Sequence, residues 1–110
     1  MTWTVSQATI ITAEQKQATA RAALINAYSA AIQAHMDATA KERLYDGIQT
    51  AVSYRDDPNP QFAAEANALF TWRSAVWTYA TTELDAVLAG TRAQPSIEAF
   101  VAELPGFTWP

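Results

Sequence analysis

The chain has 110 residues, half of them hydrophobic, with seven Lys and Arg against eleven Asp and Glu and no cysteine. This length is typical of one domain, and a formal charge of -4 without a cluster of basic residues argues against nucleic acid or an anionic membrane as a partner. The absence of cysteine excludes disulfides and thiolate metal sites.

Residues 1–12 predict a short extended arm, because apolar residues are interrupted by Thr, Ser and Gln and several of them are β-branched. The same residues carry no basic side chain and no long apolar run, so they lack the features of a secretory signal. The sequence also contains no apolar run of about 18 residues that could span a membrane. We therefore expect a protein that is soluble where it is made.

A first helix is predicted over about 13–40. Thr12 and Gln15 have the spacing of a capping box at its start. Its larger apolar residues recur at four-residue steps, which predicts one buried stripe. These residues are Leu24, Tyr28, Ile32 and Met36.

The predicted first helix is longer than the domain that should contain it. It would be about 42 Å long, whereas a compact chain of this length is about 34 Å across. The excess predicts a break around 39–44, a projection toward another subunit, or a second copy packed along the alanine-rich face. We favour contact with a partner, including a homo-oligomer, although helix propensity alone explains the alanines equally well. The alanines are Ala18, Ala20, Ala22, Ala23, Ala27, Ala30, Ala31, Ala34 and Ala38.

A second, short helix is predicted over about 44–54, where Gly47 marks either a break or a close contact. Residues 55–60, RDDPNP, predict a loop because each proline disfavours the helical conformation of the residue before it.

A long third helix is predicted over about 60–89, with Asn59 as its N-cap and Gly90 as the left-handed residue after its end. A last helix over about 96–104 should end before Pro105. The sequence thus predicts an all-α fold: a short extended N-terminal arm, 1–12, and a single helical domain, 13–110, formed by a small bundle of three or four helices.

The long third helix is apolar over more than half its circumference, so another helix or another subunit must cover it. Its aromatic cluster has two interpretations, a structural core or an exposed recognition surface formed by Trp72, Arg73, Trp77 and Tyr79, and Trp72 fits both equally well. We expect Trp77 to be core, in which case Trp77→Ala should cost about 3–5 kcal/mol. Arg73 is expected to pair with a carboxylate and fix the helix register. The candidate carboxylates are Glu65, Glu42 and Asp46.

The sequence shows no pattern typical of a catalytic or metal site. His35 is the only histidine and lies beside the apolar stripe of the first helix without converging carboxylates. Asp56 and Asp57 lack the ligand spacing of a calcium loop and predict a solvated turn. There is no glycine-rich phosphate loop and no nucleophile elbow. We therefore predict a protein that is not an enzyme and uses no metal, cofactor or small-molecule substrate.

The second half of the chain carries three connected motifs: a helix with Tyr-Asp, a helix with AE-A-AL--WR-AVW, and PSIEAFVAELP after a short glycine-containing connector. This order, over roughly 31–110, resembles a C-terminal module of small tail-associated proteins of tailed bacteriophages and prophages. The residues that carry the resemblance are Tyr45, Asp46, Tyr54, Phe62, Glu65, Ala68, Leu69, Trp72, Arg73, Val76, Trp77, Gly90, Pro95, Leu104 and Pro105.

An AL--W helix followed by a segment ending in Trp-Pro is also similar to the C-terminal region of tail fibre assembly proteins, which are chaperones of fibre trimerisation. The resemblances imply a tail structural or tail fibre-associated protein, or alternatively an assembly chaperone that binds fibre chains transiently. They imply tail fibre or other phage tail proteins as partners, and a location in the host cytoplasm during assembly or in the virion tail. A small host-directed binding protein is a more distant option.

Side chains for such protein contacts are sought among the large apolar residues of the arm, the long helix and the aromatic tail. The candidate contact residues are Trp3, Val5, Ile10, Ile11, Trp72, Tyr79, Phe107 and Trp109.

Overall fold

A computed structural model describes residues 13–110, and within that range it consists of four α-helices and no β-strand. This confirms the predicted all-α bundle. The predicted arm, with Trp3, Val5, Ile10, Ile11 and the capping residue Thr12, lies outside the described residues. The helices are α1 (Ala13–Lys41), α2 (Ile48–Val52), α3 (Pro60–Leu88) and α4 (Ile97–Glu103).

One hydrophobic core forms where the C-terminal half of α1 packs against α3. Residues of α1 at four-residue steps are buried, as the periodicity predicts, and those of α3 recur at three- and four-residue steps. Helix α2 packs on both long helices, and α4 adds Phe100 against α1. The core residues without exposed surface include Ile32, Met36, Ile48, Leu69, Val76 and Phe100.

Helix α1 is continuous over 29 residues, about 43 Å, so a break around 39–44, one of the three alternatives, does not shorten it. Its burial begins only at Leu24, and every residue from Ala13 to Ala23 is exposed. The radius of gyration is 19.4 Å, compared with about 13 Å for a compact domain of this length. The N-terminal part of α1 therefore projects beyond the core.

The turn after α1 provides hydrogen bonds to the last carbonyl groups of the helix, but it holds one residue in a strained backbone conformation. The amide of Leu44 donates to the carbonyl of Lys41 (3.0 Å) and that of Tyr45 to the carbonyl of Ala40 (3.4 Å), which is the Schellman pattern of helix ends. This pattern needs a left-handed residue at its bend, where glycine is favoured. Here Leu44 occupies the position, with φ 68° and a side chain that is 94% exposed.

Leu44→Gly is expected to raise the free energy of unfolding by about 1 kcal/mol, because it removes the steric conflict between Cβ and the backbone in the left-handed region. Since the leucine side chain packs against almost nothing, little burial is lost. Urea denaturation of wild type and variant measures the change.

Gly90 offers the matched control, since it has φ 79° at the end of α3 and makes the same pair of bonds. Gly90→Ala should lower stability by a similar amount, because its added Cβ meets no atom within 4 Å and only the backbone conformation is penalised. A destabilised Leu44→Gly variant would show that the leucine itself contributes to the fold.

The region around Gly47 is both a break and a close contact, so both alternatives left open by the sequence apply. A carboxylate oxygen of Asp37 accepts the amide of Ile48 at 2.9 Å and thereby satisfies the start of α2. A Cβ at Gly47 would lie 2.9 Å from the same oxygen. A side chain there would displace this carboxylate and weaken its bond to the amide of Ile48.

The ends of α3 and α4 follow the signals in the sequence. The side chain of Asn59 accepts the amides of Gln61 (2.9 Å) and Phe62 (3.3 Å), with Pro60 at the first helical position. Ser96 caps α4 by accepting an amide of its first turn at 3.1 Å. These caps fix where each helix starts, and the connector between them brings α4 back to α1.

Candidate protein-contact surface

The C-terminal tail folds back onto the core through Trp72. The indole Nε1 donates to the carbonyl of Pro105 at 2.7 Å, and the ring lies 5.1 Å from that of Phe107. Phe107 in turn packs edge-on against Trp109 at 4.8 Å. Trp72 is only 5% exposed, so of the two interpretations of this residue the structure places it in the core of its own chain.

A buried carboxylate connects the turn after α1 to α3. Glu65 is 4% exposed and accepts Arg43 Nη1 at 2.6 Å and the Tyr45 hydroxyl at 2.8 Å. The guanidinium of Arg43 also lies over the ring of Trp109, 4.9 Å from its centroid. Arg43, rather than the expected Arg73, is therefore the partner of Glu65, and it holds the tail as well.

Beside Trp72 lies a half-open cavity of about 340 Å³ between the end of α1, the end of α4 and the tail, which we call the aromatic pocket. Three of the predicted contact residues, Trp72, Phe107 and Trp109, meet in its wall. The polar side chains in the wall belong to His35, Thr39 and Glu42. Val101, Ala102, Leu104, Pro105 and Gly106 complete the lining.

Tyr79, also a predicted contact residue, lies apart from the aromatic pocket and is used inside the chain. Its hydroxyl donates to Glu103 at 2.7 Å, and this bond raises the pKa of Tyr79. Arg92 pairs with both Glu83 (2.7 Å) and Glu103 (2.6 Å). The bonds from Arg92 and Tyr79 lower the pKa of Glu103. This network ties the connector and α4 to α3.

A second surface lies on α3. Phe70, Arg73, Ser74 and Trp77 line an open groove of about 260 Å³, which we call the α3 open face. Trp77 packs against the hydrophobic core, as expected, but is only half-buried, and Phe70 is 43% exposed. Arg73 has no ion pair within residues 13–110, so the expected pairing with Glu65, Glu42 or Asp46 is wrong.

The signal for this surface was present in the sequence, since Phe70, Arg73 and Trp77 have the i, i+3, i+7 spacing of one helix face. The spacing alone could not show that the rest of the fold leaves this face uncovered. Arg55, from the loop before α3, stacks on Phe70 at 4.2 Å and extends the surface.

Tyr45 supplies a pH test of the buried carboxylate. Burial, followed by the hydrogen bond to Glu65, raises the pKa of Tyr45 to about 12. An unfolded tyrosine titrates near pH 10, so between about pH 10 and about 12 the unfolded chain releases a proton that the folded chain retains. The free energy of unfolding should therefore fall as the pH rises through this window. Tyr45→Phe should remove that part of the slope.

Stability measured by urea denaturation across the window, with ultraviolet titration of the phenolates, checks this expectation. Tyr54→Phe is the matched control, because the Tyr54 ring contacts Tyr45 at 5.7 Å while the bonds to Glu65 come from Arg43 and Tyr45. An equal loss of slope in both variants would contradict the role of the Glu65 bond.

Within residues 13–110, no cluster of His, Asp and Glu has the arrangement of a metal site, and none of the four helices is long and apolar enough to cross a bilayer. Asp57 accepts the amide of Asn59 at 2.9 Å and so forms part of a turn. The two surfaces thus offer aromatic rings and isolated charges, which are the groups that dominate protein interfaces.

Comparisons with protein-family models, curated proteins and solved structures found no match to this chain, so its surfaces are interpreted from their own chemistry.

Proposed function

We propose that this protein is a structural or tail fibre-associated protein of a bacteriophage or prophage tail, acting through protein–protein contacts. The resemblance of the WR-AVW and PSIEAFVAELP motifs to tail-associated proteins supports the tail setting. The projecting segment of α1, Ala13–Ala23, is the observation that carries the protein-contact role.

An isolated helix of this length is marginally stable in water, because few hydrogen bonds offset the entropy of ordering its backbone. Every residue of Ala13–Ala23 is exposed, so packing against the rest of residues 13–110 contributes little to its stability. Its alanines would let a helix of another chain approach closely and bury both surfaces. Contact with a tail protein, or with a second copy in the same assembly, supplies that packing.

Mass spectrometry of purified particles, from cells in which the phage or prophage carrying this gene is produced, tests the tail assignment. The protein should be present at a fixed copy number relative to known tail proteins. Absence from the particle and from every assembly intermediate would overturn the proposal.

Co-purification with tail proteins encoded by neighbouring genes tests the contact itself. Ala20→Arg and Ala23→Arg should weaken the complex at least tenfold, because a long charged side chain prevents close helix approach. Ala64→Arg makes the same change at an exposed alanine of α3 and should leave binding unchanged. Equal binding by all variants would remove the projecting segment from the interface.

An assembly chaperone is the second candidate, favoured by the α3 open face. A half-buried Trp77 and an exposed Phe70 lie beside Arg73, which has no ion pair within residues 13–110, and this face would cover an apolar fibre surface and then release it. If fibre assembly requires this protein but the finished particle does not contain it, the protein is an assembly chaperone rather than a structural tail protein.

A further inference from the structure

The aromatic pocket contains one negative charge that nothing in residues 13–110 neutralises. Glu42 lines it, and its carboxylate has no ion pair or hydrogen bond there. The nearest basic group described above, Arg43, is already neutralised by Glu65 at 2.6 Å. The pocket also receives the C-terminal end of α1 at Thr39, where the helix dipole is negative. Its electrostatic field therefore favours a cation.

The walls of the pocket favour the same kind of ligand. Four rings follow one another along the wall, in the order His35, Trp72, Phe107 and Trp109, with neighbouring centroids about 5–6 Å apart. The planes of Phe107 and Trp109 are nearly perpendicular, at 88°. Ring faces attract cations through their quadrupole, and rings set at large angles can surround one. Arg43 over Trp109 shows that this ring already accepts a cation on one side.

The volume of the pocket and its polar side chains indicate which kind of cation would fit. About 340 Å³ is at the lower end of pockets that hold small ligands and accommodates the end of a long side chain. A carboxylate pairs with either a guanidinium or an ammonium group, and the ammonium is the more compact of the two, so it suits a pocket of this size. His35 is the other titratable group in the wall.

We propose that the aromatic pocket binds the ammonium group of a lysine side chain that a protein partner inserts between Trp72, Phe107, Trp109 and Glu42. The inference rests on the proposed function, since the lysine is presented by the tail partner. It assigns to the candidate residues Phe107 and Trp109 a specific task, which is to contact the methylene stem and the ammonium group of that lysine.

The probe is lysine with an acetylated amino end and an amidated carboxyl end, followed by NMR at the indole N–H signals of the full-length protein. It should shift the Trp72 and Trp109 signals saturably at millimolar concentration. The norleucine analogue has a similar stem but no ammonium group, and it should produce no saturable shift. Equal binding of both analogues would show that the pocket is only apolar and would overturn the proposal.

Glu42→Gln should weaken lysine binding about fivefold by removing the carboxylate while keeping its shape. Glu98→Gln makes the same change in net charge on an exposed residue of α4 outside the pocket and should bind like wild type. Equal weakening in both variants would mean that only overall charge matters, against the proposal. Trp109→Leu, with folding verified by circular dichroism, should also weaken binding.

Binding to a tail protein distinguishes a failure of the lysine pocket from a failure of the proposed tail function. If a tail protein binds wild type and the Glu42→Gln and Trp109→Leu variants equally well, the pocket assignment fails and the proposed function stands. If the lysine probe binds as described and no tail protein does, the pocket stands and the tail assignment fails.

Discussion

Phe100→Ala is expected to lower the free energy of unfolding by about 3–5 kcal/mol, a large part of the stability of a small domain. The Phe100 side chain has no exposed surface, and its ring packs edge-on against Tyr28 with centroids 5.4 Å apart. The ring of Tyr79 lies 6.2 Å away on the other side. Removing Phe100 leaves a cavity where α4 meets α1, because the long helices cannot close around it.

Phe70→Ala is the matched control for this prediction, since it removes the same side chain from a position that is 43% exposed. Its stacking with Arg55 is lost, so the expected decrease is about 1 kcal/mol. Urea denaturation followed by circular dichroism measures both values. Similar losses in the two variants would mean that α4 does not contribute the core contact described here.

Trp72→Ala should have an effect of the same size, about 3–5 kcal/mol, and a second effect on the C-terminal tail. The indole is 5% exposed and provides both the hydrogen bond to Pro105 and the ring contact with Phe107. Without it, the tail loses its main attachment to α3. Chymotrypsin should then cleave after Phe107 faster than in wild type, whereas the bond after Trp109 is protected because Pro110 follows it.

Trp77→Ala is the corresponding control. The value of 3–5 kcal/mol expected for a core indole no longer applies, because Trp77 is half-buried, and we expect a loss of about 1–2 kcal/mol. Cleavage in the tail should stay at the wild-type rate, since Trp77 lines the α3 open face and not the aromatic pocket. Faster tail cleavage in both variants would indicate general destabilisation rather than loss of the Trp72 attachment.

Much of the secondary structure could be predicted because its causes are local. Asn59, Pro60, Gly90 and Ser96 act on the backbone within a few residues of themselves, and the observed helix ends lie at or next to these positions. Helix α2 is the exception, with Ile48–Val52 in place of the broader helix over 44–54. Its start is set by Asp37, a residue eleven positions earlier, and local sequence does not reveal such a bond.

Side-chain roles on α3 were harder to predict, because this helix is apolar around most of its circumference. Arg73 was expected in an ion pair and instead lies on the α3 open face, while Trp77 packs against the core with one side and lines the α3 open face with the other. Tyr79 was assigned to an interface, yet it is bonded to Glu103. Helical spacing groups residues by face but does not state which neighbour covers each face.

The sequence by itself determined the two long helices, the buried stripe of α1 and the length of α1 in excess of a compact domain, since these follow from capping, periodicity and rise per residue. Tertiary structure alone decided that Arg43 takes Glu65 and that the tail closes the aromatic pocket over Trp72. Those pairings join residues 22 and 33 positions apart. Which residues pair depends on where α2, α4 and the tail pack on the two long helices. No local sequence pattern specifies that packing.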